Sequence, residues 1–193
     1  LRILCDVLLV RNKASKAIAS AKTLLRERKK LTSLVKSSDS MSVDMMKPIS
    51  EDYRRCANIF ASANKRRMAK KYYHRCERNS PGNIAVALEA FKHFNEDKKI
   101  LKRLLVSTVS AGPVIRSDGV YVLQPIDLPP APAHDVSNAL NQIAEKGFPE
   151  AKQLSEKILQ EIGAIERGEA AANARLQTAL DSLQPKYDYH EYV

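Results

Sequence analysis

The sequence has little glycine and few aromatic residues, and it has no tryptophan. Its 193 residues include 6 glycines, and aromatic side chains make up 6% of the chain. An all-β sandwich needs many glycine-containing turns, so this composition disfavours that fold class. No apolar run reaches the roughly 18 residues that a membrane-spanning helix needs. A chain of this length buries about 70% of its unfolded surface, so it requires neither disulfides nor a metal ion for stability.

Cysteine is also scarce. Cys5, Cys56 and Cys76 are an odd number, and their spacing matches no disulfide framework. Such cysteines are typical of a reducing compartment, so we expect an intracellular protein or a virion component. A zinc site made of Cys56, His74 and Cys76 is disfavoured. On a single helix over residues 50–78 the two cysteines would lie about 30 Å apart, whereas zinc ligands lie within ~2.3 Å of one ion.

Motifs that would indicate an enzyme are missing as well. The sequence contains no glycine-rich nucleotide loop and no Gly-Lys-Ser/Thr segment. Glu96-Asp97 is followed at once by Lys98-Lys99, a pattern typical of solvated ion pairs rather than of catalytic carboxylates. No cysteine or histidine lies beside a loop of the kind that stabilises an oxyanion. We therefore expect a non-catalytic protein with no cofactor and no bound metal.

Charge, by contrast, is abundant and unevenly distributed. The chain carries 32 lysines and arginines against 22 aspartates and glutamates, a net charge of +10. Residues 1–105 hold 25 basic and 10 acidic side chains, a net charge of +15, whereas residues 106–193 hold 7 and 12, a net charge of −5. A basic region of this size attracts phosphate groups or anionic lipid. An anionic partner is therefore expected for residues 1–105.

Apolar periodicity predicts a mostly α-helical protein built from long antiparallel helices, as in a helical bundle or coiled-coil hairpin. A basic helical region over residues 1–112 is expected to contain three helices. The first spans about residues 2–37, the second begins at the N-cap Ser50 and ends near Asn79, and the third begins at Ser80 and ends at Gly112. Helices of this length predict an extended arrangement of the basic region.

The segment 113–134 has the only clear β signal. Two short β-branched runs, 114–117 and 120–123, flank Asp118-Gly119, which predicts a two-residue β-hairpin. Four prolines within eight residues then predict an extended, semi-rigid strap, at Pro125, Pro129, Pro130 and Pro132. Because a lone hairpin is only marginally stable, residues 114–123 are expected to pack on helices or to pair with a strand of a partner.

The region 135–184 is predicted to hold a short helix, up to Lys146, and a long helix over residues 150–183. Ile158, Ile165 and Ala172 are seven residues apart, and Ile162 and Leu176 occupy the second apolar position of the same heptads. This seam predicts a helix–helix or protein interface, with the interface residues Ile158, Ile162, Ile165, Leu176 and Leu183. The Tyr-rich tail, residues 185–193, is expected to dock on a partner or to fray.

Clustered cations give the strongest functional signal. One cluster lies in the second predicted helix, at Lys65, Arg66, Arg67, Lys70, Lys71, Arg75 and Arg78, and another lies in the first, at Arg26, Arg28, Lys29 and Lys30. Cations that neutralise several phosphates give salt-sensitive binding that is largely independent of sequence. Tyr72 and Tyr73, inside the first cluster, are expected to stack on unpaired bases, which favours RNA over DNA.

Two functions remain open at this point. The first is a nucleic-acid-binding structural or accessory subunit of a larger assembly, such as a ribonucleoprotein or a viral or phage replication or packaging complex. Residues 1–105 would bind the nucleic acid backbone, and residues 150–184 a protein. The second is a self-assembling scaffold or an anionic-membrane-surface protein without nucleic acid, since anionic lipid attracts the same cations. Neither function involves an integral membrane segment.

Overall fold

The structure, a computed structural model, describes residues 1–11, 13–35, 43–125, 128–169 and 172–187. The predicted fold class is confirmed at the coarse level, because these residues are mostly helical and include one small antiparallel sheet. The chain divides into two compact units, which we call the first unit, Leu1–Ser80, and the second unit, Pro81–Val193. The predicted basic helical region, residues 1–112, therefore belongs partly to each unit.

The first unit contains four helices. They are α1 (Arg2–Val10), α2 (Ala14–Val35), α3 (Val43–Ser62) and α4 (Arg66–Asn79). Helices α3 and α4 form an antiparallel hairpin, in which the Ser50 hydroxyl donates to the carbonyl oxygen of Cys76 over 3.0 Å. Small side chains fill much of the core, since Cys5, Ala21 and Cys56 are fully buried. Small residues let helix backbones approach closely, and the larger rings of Phe60 and Tyr73 fill the space between α3 and α4.

In the second unit, the strands of a small sheet come after two helices in the chain and before three others. Its elements are α5 (Ile84–Phe94), α6 (Lys98–Val109), β1 (Val114–Ser117), β2 (Val120–Leu123), β3 (Ala131–Pro132), α7 (Ala133–Glu145), α8 (Glu150–Glu166), α9 (Ala174–Leu183) and a 3₁₀ turn (Gln184–Lys186). Helices α7 and α8 pack together around a buried polar contact. The hydroxyls of Ser137 and Ser155 lie 2.7 Å apart, and each hydroxyl oxygen also lies within hydrogen-bond distance of the other residue's carbonyl oxygen, at 3.5 and 3.0 Å.

The predicted β-hairpin is present with the expected register. Ser117 pairs with Val120 across the turn, and both turn residues have left-handed backbone, with φ of 49° at Asp118 and 79° at Gly119. A type I′ turn requires that geometry, which asparagine, aspartate and glycine adopt at least cost. The sheet has a third strand that the sequence does not reveal, because β3 is two residues long and includes Pro132.

Each long helix predicted from the sequence is in fact two helices. The first is divided between Val10 and Ala14, the second between Ser62 and Arg66, the third between Phe94 and Lys98, and the helix predicted over residues 150–183 between Glu166 and Ala174. Three of these breaks have an identifiable local cause. Asn64 adopts a left-handed φ of 56°, Asp97 caps α6 by accepting from the backbone N–H of Lys99 over 3.0 Å, and Gly168 has a φ of 69°. The capping prediction for the second helix is also wrong, because Ser50 lies inside α3.

Candidate nucleic-acid interface

Helix α4 has one buried side and one strongly basic side. Ala69, Tyr72, Tyr73 and Cys76 face the core of the first unit. Six cations at other positions of the helix, with the lysine that precedes it, form the α4 basic face, which consists of Lys65, Arg66, Arg67, Lys70, Lys71, Arg75 and Arg78. Because apolar residues recur at helical spacing on one side, burial of that side leaves the cations at the surface. The structure thus brings together seven cations predicted as a cluster.

Several cations of this face have no ion-pair partner. Lys65, Arg67, Lys71 and Arg78 are exposed, and none lies within 4 Å of a carboxylate among the residues that the structure describes. Arg67, Lys71 and Arg78 are separated by four and seven positions, so they share one stripe of the helix. This stripe presents uncompensated positive charge.

The arginines of the neighbouring helix α3 are placed differently. Arg54 binds Glu51 with both its Nε and its terminal nitrogen, at 2.8 and 2.7 Å. Arg55 contacts Asp6 of α1 at 3.1 Å and lies 3.6 Å from Glu51. Ion pairs therefore occupy the arginines of α3, and the excess positive charge of the hairpin lies on α4.

The guanidinium group of Arg75 packs on stacked aromatic rings. The ring of Tyr72 stacks with those of Tyr53 and Phe60, with centroid distances of 5.9 and 5.6 Å and interplanar angles of 29° and 22°. The Arg75 guanidinium carbon is 5.4 Å from the Tyr72 centroid and 5.9 Å from the Tyr53 centroid. Cation–π contacts of this kind hold an arginine in place at the surface. Burial raises the pKa of the Tyr72 hydroxyl above its ordinary value.

The two tyrosines predicted to stack on bases are both buried. Tyr72 is 8% exposed and Tyr73 is 1% exposed. The Tyr73 hydroxyl donates to the side-chain oxygen of Asn58, which fixes the ring within the α3–α4 hairpin. Neither ring has a face accessible to a base, so the prediction that Tyr72 and Tyr73 stack on bases is wrong for this structure. The sequence did contain a signal that these tyrosines are buried: their helical spacing relative to Ala69 and Cys76 places all four residues on the apolar side of α4.

The basic cluster predicted on α2 is divided between surface and interior. Lys29 is exposed, and Lys30 and Arg26 lie 3.3 and 3.8 Å from Glu27. Arg28 points inward and binds the buried carboxylate of Asp52 on α3. Arg28 is therefore a structural residue rather than a candidate phosphate ligand, and the cluster contributes less net charge than its sequence indicates.

Sequence reasoning missed the role of Asp52. Its side chain is fully buried, and it accepts from Arg2 of α1 at 2.6 and 3.1 Å as well as from Arg28 of α2. The hydrogen bond to Asp52 raises the pKa of the Arg2 guanidinium above its ordinary value. Asp52 lies in the interior of α3, which begins nine residues earlier, at Val43. Its carboxylate joins three helices.

The predicted protein-interface seam lies mostly inside the second unit. Ile158, Ile162 and Leu176 are 0%, 5% and 1% exposed, while Ile165 and Leu183 are half-buried. The seam is interrupted after Glu166, where the chain turns before α9. The apolar repeat thus packs α8 and α9 within their own unit. Ile158, Ile162 and Leu176 are buried there and have no surface accessible to another protein.

The edge of the hairpin is also partly occupied. The Asn173 side chain accepts from the Val114 backbone N–H over 2.8 Å and donates to the Val114 carbonyl oxygen over 2.9 Å. It thereby takes the place of a neighbouring strand at that position. Strand β3 covers the far side of β2 at Val122 and Leu123. Strand addition by a partner, which the sequence had suggested for residues 114–123, is blocked at these positions.

All three cysteines are buried and free, and no group of three or more His, Cys, Asp or Glu side chains in the described part of the chain converges as metal ligands would. Within the same residues, no helix combines the length and apolar character needed to cross a bilayer.

Comparison with known proteins gave no relative. No family model, no curated protein and no solved structure matches this chain.

Proposed function

We propose that this protein is a non-catalytic nucleic-acid-binding subunit that holds the phosphate backbone of a polynucleotide on the α4 basic face. The observation that carries this proposal is the stripe of Arg67, Lys71 and Arg78, which is exposed and lacks carboxylate partners in the described residues. A polynucleotide supplies regularly spaced negative charges, and lysines and arginines displace its counterions on binding.

The charge of the whole first unit supports this assignment. Residues 1–80 contain 20 lysines and arginines and 7 aspartates and glutamates, a net charge of +13. Residues 81–193 contain 12 and 15, a net charge of −3. Long-range attraction would therefore steer a polyanion to the first unit, where the α4 basic face provides the contacts.

Burial of Tyr72 and Tyr73 changes the expected selectivity. The preference for RNA over DNA rested on these rings as stacking groups, and neither has an accessible face. We therefore propose backbone binding without base recognition, to RNA or DNA, in a larger assembly such as a ribonucleoprotein or a viral or phage replication or packaging complex. A scaffold that binds no nucleic acid is the competing function.

Charge reversal on the α4 basic face tests the proposal. Lys71→Glu combined with Arg78→Glu should weaken binding of labelled single-stranded RNA and duplex DNA at least about tenfold, because two attractive contacts become repulsive. Both side chains are exposed, so circular dichroism should show unchanged helicity. Lys98→Glu with Lys99→Glu, a matched reversal at exposed positions of α6, should alter affinity far less.

Two results would contradict the proposal. One is wild-type protein that binds neither polynucleotide at low salt. The other is an equal loss of affinity in the α4 and α6 variants, which would mean that net charge alone, and not the α4 basic face, determines binding.

A further inference from the structure

Exposed aliphatic side chains are concentrated on α1. Ile3 and Val10 are 80% and 83% exposed, and Leu4 and Val7 are 47% and 41% exposed. We call these four residues the α1 apolar stripe. Over the remaining described residues, large apolar side chains of comparable exposure are Leu1, which precedes the helix, Val120 and Leu159. A group of apolar side chains at one place on a surface marks an interaction site, whereas scattered ones do not.

The α1 apolar stripe projects outward as a ridge. Ile3, Val7 and Val10 follow the i, i+4, i+7 spacing that places side chains on one helical face. The other face of α1 is anchored in the first unit by Cys5 and Leu8, which are 0% and 9% exposed. Side chains that line a groove are shielded by its walls, so exposures of about four-fifths at Ile3 and Val10 describe a convex surface.

Positive charge borders this ridge. Arg11, Lys13 and Lys16 follow α1 and are exposed, and no carboxylate of the described residues lies within 4 Å of them. The one acidic side chain of α1, Asp6, accepts two hydrogen bonds from Arg55, at 3.1 and 3.2 Å. Three exposed cations without carboxylate partners in the described residues therefore follow the stripe in the chain, and the first unit as a whole is cationic.

These features distinguish between possible occupants. A second copy of the chain would bring two first units of net charge +13 together, which electrostatic repulsion opposes. A folded protein partner would need a groove to receive a convex ridge. An anionic bilayer accepts an aliphatic ridge among its acyl chains and offers phosphates to the bordering cations.

We propose that α1 is a membrane-surface helix, whose apolar stripe inserts into the interface of an anionic bilayer while Arg11, Lys13 and Lys16 contact lipid headgroups. This second site uses residues other than the α4 basic face and does not depend on nucleic-acid binding. It would bring a polynucleotide held on α4 to a membrane surface.

Vesicle flotation of the full chain tests this proposal. The vesicles are phosphatidylcholine alone or phosphatidylcholine with about 30% phosphatidylserine, an anionic lipid of cytoplasmic leaflets. Wild-type protein should float with the anionic vesicles and much less with the neutral ones. Ile3→Ser with Val10→Ser, which removes apolar surface without changing charge, should reduce anionic-vesicle binding at least about tenfold.

Controls separate the apolar stripe from other contributions. Val120→Ser with Leu159→Ser makes the same kind of change at exposed aliphatic positions of the second unit, and it should leave flotation within about twofold of wild type. A variant with Arg11, Lys13 and Lys16 all changed to Gln should lose more than about tenfold on anionic vesicles, since each cation near such a surface contributes about 1 kcal/mol. Neither the Ile3/Val10 variant nor its control should alter polynucleotide affinity.

Three results would overturn the proposal. Wild-type protein that does not float with anionic vesicles is the first. Flotation that survives both the serine and the glutamine substitutions is the second. The third is a dimer, detected by light scattering, that Ile3→Ser with Val10→Ser dissociates while no vesicle binding occurs, because the stripe would then join two copies of the chain.

Discussion

At the scale of single residues, the side chain that most clearly shapes the first unit is Asp52. Its carboxylate is fully buried and binds Arg2 and Arg28, whose side chains are 42% and 20% exposed. A buried charge is costly unless it is paired and hydrogen-bonded. Because the three residues come from α3, α1 and α2, this one ion cluster fixes the relative placement of three helices that share a core of small side chains.

Replacing Asp52 by asparagine should therefore destabilise the protein. The substitution leaves Arg2 and Arg28 without their counterion, and the loss of unfolding free energy should be about 2–4 kcal/mol, below the full value for a buried pair because Arg2 is partly solvated. Asp6→Asn, which removes an exposed partner of Arg55, should cost under about 1 kcal/mol. Urea unfolding measures both. Equal losses in the two variants would contradict a special role for the buried carboxylate.

The three cysteines are a second residue-scale feature. Burial raises the pKa of Cys56 and of Cys76 to about 12, and it also raises the pKa of Cys5. Only the thiolate is nucleophilic, so these side chains should be inert in the folded protein. They pack as small apolar groups between helices.

Thiol titration checks this expectation. With an aromatic disulfide reagent at pH 8, where the thiols of the native protein remain protonated, reaction should be slow and limited by unfolding. In concentrated urea all three cysteines should react quickly. Raising the pH toward 10 in the native state should favour unfolding, because the unfolded chain loses thiol protons at a lower pH than the folded one. Rapid reaction of any cysteine under native conditions would contradict its burial.

Residue patterns also show why part of the candidate site could be predicted. The cations of α4 were identified because the cluster is dense and burial of Ala69 and Cys76 leaves them exposed. Arg28 could not be distinguished from Lys29 in the sequence, since only the position of Asp52, 24 residues away, decides which side chain points inward. Long-range pairing of this kind has no local signal.

At the scale of elements, the sequence predicted where helical segments lie but not where they are divided. Apolar periodicity continues through the breaks at Asn64 and Gly168, because the two helices of each hairpin bury their stripes in the same core. A heptad count cannot detect a reversal of direction. Only turn residues indicate such a reversal in the sequence. Asp118-Gly119 is an example, since it predicted the hairpin together with its register.

Substitutions on α8 test whether its heptad seam is an internal core. Ile158 is fully buried and its neighbour Leu159 is 43% exposed. Ile158→Ala should lower the unfolding free energy by about 2–5 kcal/mol, while Leu159→Ala should change it by no more than about 0.5 kcal/mol. Urea unfolding, with light scattering to monitor mass, distinguishes an internal core from a protein interface. If Ile158→Ala left stability unchanged but reduced the mass of a complex, the seam would be a protein interface instead.

At the scale of the whole molecule, the contrast in charge is the dominant feature. Composition predicted a basic first part and an acidic last part, with the change placed near residue 105. The compact units divide at Ser80 instead, and the first unit carries +13 against −3 for the second. Composition could not locate the boundary, because the break in packing depends on which helices share a core rather than on their charge.

The salt dependence of polynucleotide binding tests the central claim most directly. If Lys65, Arg67, Lys71 and Arg78 contact phosphates, the logarithm of the duplex affinity should fall with the logarithm of salt concentration with a slope of about −4. Lys71→Ala with Arg78→Ala should make that slope shallower by about 2, whereas Lys98→Ala with Lys99→Ala should leave it unchanged. A slope near zero, or one that the α4 substitutions do not alter, would contradict phosphate binding on the α4 basic face.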